Sequence, residues 1–272
     1  MQLNKKTILI TGGTSGIGLE LATQLIARRN TVIVTGRDPE KLAAAKRLLP
    51  ALHTFQSDVS DPASIAILHT NLLAQFPAFD TLINNAGIMR NLNINQPRDL
   101  SDVTREIDIN LSGPIRMIQQ FLPHLKTRNS ALIVNVSSGL AFIPMPISPV
   151  YCATKAALHS FTQSLRAQLR GTNVTVVELA PPGVETPLFR GEFAEEMKDQ
   201  KGMDVKDLAK QAISGIEAGR LEIRPGLSNV LKMLSRVAPQ FVFKQMTKLS
   251  KLKNYPSVLS PGGSTSSSTL TE

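Results

Sequence analysis

Tyr151 and Lys155 stand four positions apart in Tyr151-Cys152-Ala153-Thr154-Lys155, a spacing that sets a phenol and an ammonium on one face of a helix. The chemistry expected of such a pair is proton delivery. Free tyrosine, with a pKa of about 10, shuttles protons poorly at neutral pH unless its phenolate is stabilised. An adjacent cation in a partly dry cleft is expected to lower the phenol by roughly three units, about 4 kcal/mol of preference for the charged form. The same spacing also arises where a lysine snorkels over a half-buried ring. The pair therefore takes its meaning from what surrounds it.

The elements that would position it begin near the N-terminus. Thr7-Ile8-Leu9-Ile10-Thr11 is a β-branched apolar run that breaks into Gly12-Gly13-Thr14-Ser15-Gly16-Ile17-Gly18, after which Leu19, Ala22, Leu25 and Ile26 recur at helical spacing. Strand, glycine turn and helix form a phosphate-binding layout: glycines let the backbone approach an anion, and the helix points free N–H groups and its positive dipole end at it. Further apolar runs near 31–35, 80–84, 131–137 and 174–180 alternate with amphipathic stretches of helical length. The alternation predicts an α/β fold, a single-domain doubly wound parallel sheet of Rossmann-like type with helices on both faces. Such sheets bind ligands at the carboxyl ends of their strands.

Glycines at 12, 16 and 18 after Thr11 resemble the T-G-x-x-x-G-x-G loop of the short-chain dehydrogenase/reductase family. The matches continue in order. Asn84-Asn85-Ala86-Gly87 is similar to the family's N-N-A-G motif, Asn110 in Asp108-Ile109-Asn110-Leu111 stands where the family keeps an asparagine, and Ser138 precedes Tyr151 by thirteen positions, as the family's serine does. The segments around Ser138 and Tyr151 look most like the DltE-type oxidoreductases of bacteria. One departure is Pro181-Pro182-Gly183-Val184-Glu185-Thr186, where Pro182 replaces the family's usual glycine and removes a backbone N–H.

The resemblance implies an oxidoreductase transferring hydride between a nicotinamide cofactor and a carbonyl or alcohol, with Asn110, Ser138, Tyr151 and Lys155 as catalytic residues. Tyr151 would deliver the proton, Ser138 would hydrogen-bond the substrate oxygen, Lys155 would favour the phenolate and hold the ribose, and Asn110 would position a water leading from Lys155 to solvent. It implies cofactor contacts from Gly12, Thr14, Ser15, Gly16, Ile17 and Gly18, from Asp58 and Val59 beside the adenine, from Asn85, Ala86 and Gly87, from Tyr151 and Lys155, and from Val184 and Thr186. After Thr31-Val32-Ile33-Val34-Thr35 the chain reads Gly36-Arg37-Asp38, with no acidic residue at 36 to bind a ribose 2′-hydroxyl. Arg37, with Lys41, offers donors suited to a 2′-phosphate, so NADP(H) is expected over NAD(H).

Composition adds limits. The 272 residues, 42% hydrophobic, can bury one core, and residues 1–254 are expected to form one domain. With a single cysteine, Cys152, no intramolecular disulfide is possible, and the thiol is read as a small buried hydrophobe. The four histidines, at 53, 69, 124 and 159, lack metal-ligand spacing, so no metal is expected. No run approaches the roughly 18 apolar residues of a membrane span, and a cytoplasmic protein is expected. Leu140, Phe142, Ile143, Met145 and Ile147, with Leu188, Phe189, Phe193 and Met197 as a lid, would wall an apolar pocket for a medium-sized ketone or aldehyde. Ordinary core packing is the competing account, at least as good for Leu140 and Ile143.

The C-terminal part differs. No acidic residue lies between Glu222 and Glu272, while Lys244, Lys248 and Lys251 form a stripe opposite Val242, Met246 and Leu249. A basic helical segment at 227–254 fits weak association with an anionic membrane surface, a partner subunit or its own domain, and 255–272 reads as a disordered tail. Nucleic acid is not expected as a partner, for want of interleaved aromatics; a homodimer or homotetramer is. Two alternatives to catalysis stay open: an NADP(H)-binding regulator without turnover, and a membrane-surface scaffold acting through the basic segment.

Overall fold

Parallel strands buried on both faces need apolar side chains at every position, and the central runs of this chain supply them. A computed structural model describes residues 2–250. In order, it contains β1 (Thr7–Thr11), α1 (Gly16–Ala27), β2 (Thr31–Gly36), α2 (Pro39–Leu48), β3 (His53–Gln56), α3 (Pro62–Gln75), β4 (Thr81–Asn84), α4 (Leu100–Ile107), α5 (Gly113–Lys126), β5 (Ala131–Val136), α6 (Pro149–Gln168), β6 (Val174–Leu179), α7 (Pro187–Arg190), α8 (Val205–Glu217), β7 (Glu222–Ile223), α9 (Leu227–Val237) and α10 (Pro239–Leu249). The seven strands form one sheet in the order β3-β2-β1-β4-β5-β6-β7, with every pairing parallel.

Alternation along each strand sends neighbours to opposite layers. Ile8, Ile10, Val32, Val34 and Val134 pack with Leu21, Leu25, Leu42, Ala212 and Ile213 from α1, α2 and α8. Leu9, Ile33, Leu82, Ile133 and Val176 pack on the other face with Leu72, Met117, Phe121, Leu125 and Leu165 from α3, α5 and α6. Helix starts are set locally: Asp38 and Asp61 cap α2 and α3, each followed by a proline at the first helical position.

Two strands carry no apolar run. β3 reads His-Thr-Phe-Gln on the sheet edge, with both ends exposed, and β7 is two residues long. They exist because Ile33 to Gly36 and Glu178 to Leu179 offer them a ladder. A π-helical turn, Asp108–Ser112, joins α4 to α5. The strand order reverses direction between β1 and β4, so the loops after β1, β2, β4, β5 and β6 share one rim. Lys251, Lys253 and the tail expected over 255–272 lie outside the described residues.

Candidate active site

The glycine loop is shaped by contact with the turn after β4. Gly12 has φ of 65°, and a β-carbon there would lie 2.8 Å from Ala86 Cα. Asn85 Nδ2 donates to the carbonyls of Thr11 and Gly12, both at 3.0 Å, while Thr11 Oγ1 accepts the N–H groups of Asn85 and Ala86. The motif after β4 thus locks the loop after β1. Ser15 begins α1 without a side-chain cap, so its hydroxyl does not compete for the N–H groups of the first turn.

Tyr151 lies in the first turn of α6, with Lys155 one turn on, both buried. Ser138 follows β5; its Oγ accepts the Leu140 N–H at 3.1 Å, and its hydroxyl is the neighbour that favours the charged form of the Tyr151 phenol. Burial raises the phenol above its ordinary range, and the neighbouring Ser138 hydroxyl opposes that rise only in part. Lys155 Nζ donates to Val136 O at 2.9 Å and stands 5.6 Å from the Tyr151 ring centroid. Desolvation pushes this amine down to about 8. The expected lowering of the phenol is therefore corrected: one of the three N–H groups of the amine goes to the end of β5, and desolvation of both groups outweighs their pairing.

Asn110 sits in the π-helical turn, fully buried. Its Oδ1 accepts the Ile88 N–H at 2.9 Å, and its Nδ2 donates to Ile88 O at 2.8 Å and Thr154 Oγ1 at 3.3 Å. With both N–H groups committed, the amide clamps the chain after Gly87, and the water-positioning expected of it is left to one lone pair. A β-carbon on Gly87 would stand 3.2 Å from Asn110 Oδ1 and 3.6 Å from Lys155 Nζ, so bare backbone separates the two groups.

Two residues beyond Ile88, the Arg90 N–H donates to Glu106 Oε1 at 3.0 Å. Its Oε2 is buried without a hydrogen-bond partner, and burial pushes the carboxyl up to about 7.

At the far end, Arg37 faces Asp58 at 3.8 Å and Lys41 faces Asp38 at 3.9 Å. Each cation expected at the nucleotide end therefore has a carboxylate beside it, while Arg37 keeps about half its side chain exposed. A β-carbon at Gly36 would stand 3.1 Å from Thr14 Cγ2, so the loop itself crowds any acidic side chain there. Thr186 caps α7, and its Cγ2 lies 3.3 Å from the β-carbon position of Gly16. Val184 bridges to Met203.

One cavity of about 850 Å³ runs along this site. Gly12, Thr14, Ser15, Gly16, Ile17, Arg37, Lys41, Asp58, Val59, Asn85, Ala86, Gly87, Ser138, Tyr151, Lys155, Pro182, Val184 and Thr186 line it. Gly18 and Asn110 stand behind that wall; a β-carbon on Gly18 would meet Asn85 Nδ2 at 2.5 Å. Its apolar end is walled by Leu140, Met145, Leu188, Phe189, Phe193 and Met197. Phe142, Ile143 and Ile147 are not on it, which corrects that part of the expected wall. Phe142 turns away to meet the His159 ring edge-on at 5.1 Å, with Lys232 Nζ 5.1 Å from its centroid. The places left are filled by Met89 and by Leu227, Leu231, Met246 and Leu249 of α9 and α10. The apolar stripe of the basic segment was the signal for Met246 and Leu249, but nothing local shows where that stripe docks.

The model of the short chain dehydrogenase family matches residues 6–197 of this chain. The chain belongs to the short-chain dehydrogenase/reductase family. This oxidoreductase is 40% identical over 247 residues to the uncharacterised oxidoreductase DltE of Bacillus subtilis strain 168, covering 90% of the chain and 98% of that relative. It is 36% identical over 175 residues to the NADP-dependent 3-hydroxy acid dehydrogenase YdfG of Salmonella typhimurium, covering 64% of this chain and 71% of that one. A short-chain dehydrogenase/reductase from Burkholderia phymatum, solved in complex with NAD, shares the fold with a TM-score of 0.80 at 22% identity, covering 89% of this chain and 96% of that one.

Behind the candidate site lies a buried polar cluster that no sequence motif announces. Glu178 accepts from Ser137 Oγ and pairs with His159 Nδ1 at 2.7 Å, bracing β5 and α6 just behind Ser138. The carboxylate and imidazole are 41 residues or fewer from Ser137 in sequence, yet only the sheet brings them together. Cys152 is buried, its thiol pushed up to about 11 by burial, and its Sγ accepts the Met145 N–H.

Proposed function

We propose that this chain transfers hydride between NADP(H) and a carbonyl or alcohol carbon, acting on a medium-sized apolar ketone or aldehyde. The observation that carries the reading is the convergence of buried Ser138, Tyr151 and Lys155 on the wall of one cavity, which is polar at the glycine loop and apolar beyond Tyr151. The residues present fit the cofactor. The backbone of 12–18, held open by Asn85, with Thr186 against it, would take the pyrophosphate. Arg37 and Lys41 would take the 2′-phosphate, each exchanging part of its pairing with Asp58 or Asp38, and Asp58 with Val59 would border the adenine. Lys155 and the backbone at Val184 would border the nicotinamide end.

NADPH, when bound, supplies the hydride. Ser138 Oγ is oriented by the Leu140 N–H it accepts, and its own proton would go to an incoming carbonyl oxygen and fix that oxygen beside Tyr151. Tyr151 gives its O–H proton to the same oxygen as negative charge grows there. The resulting phenolate lies in a dry site, where the Lys155 ammonium over the ring is its stabilising partner. Asn110 contributes by holding Ile88, and so the wall next to Gly87, in place.

The NADP dependence of YdfG supports the cofactor choice. Operation in the cytoplasm and assembly as a homodimer or homotetramer belong to the same reading. Purified full-length chain should consume NADPH with apolar ketones or aldehydes of graded length, and NADH much more slowly. Binding of NADPH without turnover across such a panel would overturn the reading in favour of a regulator.

A further inference from the structure

Fourteen large apolar side chains are exposed among the described residues, and seven of them fall within 227–249. Single exposed apolar residues are ordinary, whereas clustered ones mark an interaction surface. Val230, Met233 and Val237 share one face of α9 by their spacing, and Met233, Val237 and Phe241 are each at least 59% exposed. The cations next to them divide into two groups. Arg224 and Lys232 are paired with Glu222. Arg236, Lys244 and Lys248 are exposed and make no ion pair among the described residues, and from Ile223 to Thr271 the sequence holds no carboxylate side chain to answer them.

Charge selects the occupant. A second copy of the chain would set three uncompensated cations against three more, and the chain beyond 250 brings further lysines with no carboxylate side chain before Glu272. An anionic lipid surface satisfies both halves of the patch, taking the apolar side chains below its headgroups and the ammonium groups among them. The cavity meets this face. Leu188, Leu227 and Leu249 all line the cavity and are all exposed, so its apolar end opens within the same patch.

We infer that the outer face of α9 and α10 rests on an anionic bilayer and that the apolar carbonyl substrate enters the cavity from the lipid through the gap between Leu188, Leu227 and Leu249. The entry half rests on the carbonyl-reducing activity proposed above; the surface half does not. The test uses full-length chain sedimented with vesicles of phosphatidylcholine alone or mixed with phosphatidylglycerol. Binding should need phosphatidylglycerol, weaken with salt, and fall about thirtyfold in Lys244→Ala/Lys248→Ala. Met233→Asp/Val237→Asp, at positions outside the cavity wall, should lose vesicle binding while keeping its thermal midpoint and its rate on a short water-soluble aldehyde. Its rate on a long-chain aldehyde held in the vesicles should drop at least tenfold. Equal binding to both vesicle types, or binding untouched by either double variant, overturns the surface. Conversion of a dimer to a monomer by Met233→Asp/Val237→Asp without any vesicle binding overturns it in favour of self-association. If no soluble aldehyde is reduced at all, the entry half falls with the proposed activity, and the sedimentation result still decides the surface.

Discussion

Lys155 Nζ donates to the carbonyl oxygen of Val136 at 2.9 Å, inside the fold and one helical turn from Tyr151. Its pKa, near 8 in the folded chain, lies below the ordinary 10.5 because desolvation disfavours the ammonium. Between those values the unfolded chain binds more protons, so this group adds stability as pH rises from about 8 towards 10.5, and its full penalty applies below 8. Urea midpoints of the cofactor-free chain and of Lys155→Met should therefore differ most in the variant's favour near pH 7, with that advantage shrinking by pH 10.5. Parallel profiles would contradict the assignment.

Tyr151→Phe keeps the ring against Met145 and Cys152 and removes only the proton donor. Turnover should fall by at least about a thousandfold while NADPH affinity stays within about threefold. Ser138→Ala should lower kcat by about tenfold to a hundredfold, and fluorescence titration with NADPH should be unchanged. Equal loss of binding and turnover in Tyr151→Phe would indicate damage to the fold.

Arg37 is half-exposed and only 3.8 Å from Asp58, so it can swing between a carboxylate and a phosphate. Arg37→Ala should cut kcat/KM for NADPH by about tenfold to a hundredfold and leave that for NADH nearly unchanged. An enzyme that kept its NADPH preference would remove Arg37 from the cofactor site.

Glu106 carries a buried oxygen without a partner, and its carboxyl titrates near 7 instead of the ordinary 4.5. A raised carboxyl costs stability progressively as pH climbs from about 4.5 through 7, and the whole cost applies above that. Glu106→Gln should melt higher than the parent at pH 8, by about 1 to 2 kcal/mol, with the advantage fading towards pH 5. A difference independent of pH would mean the carboxyl is not the source.

Local order was readable where one segment holds its own instructions. The run Thr7–Thr11 breaking into glycines predicts strand, turn and helix, and the matched motifs predict which rim of the sheet collects them. β3 was not readable, because His53-Thr54-Phe55-Gln56 has edge-strand exposure and pairs only since β2 is there to receive it. The π-helical turn that sets Asn110 facing Ile88 left no periodicity to detect.

Residue order alone thus determined the α/β class and the glycine loop, since these depend on period and turn chemistry along one stretch of chain, while the set Asn110, Ser138, Tyr151 and Lys155 is what the resemblance of its motifs to the family implies. Tertiary structure decided what each group spends its hydrogen bonds on: Lys155 on Val136, Asn110 on Ile88, Arg37 beside Asp58. It also replaced Phe142, Ile143 and Ile147 in the cavity wall with Leu231, Met246 and Leu249. The reason is that desolvation and pairing depend on neighbours brought from dozens of residues away, and the docking of a two-sided helix such as α10 is settled by which buried surface is left to cover.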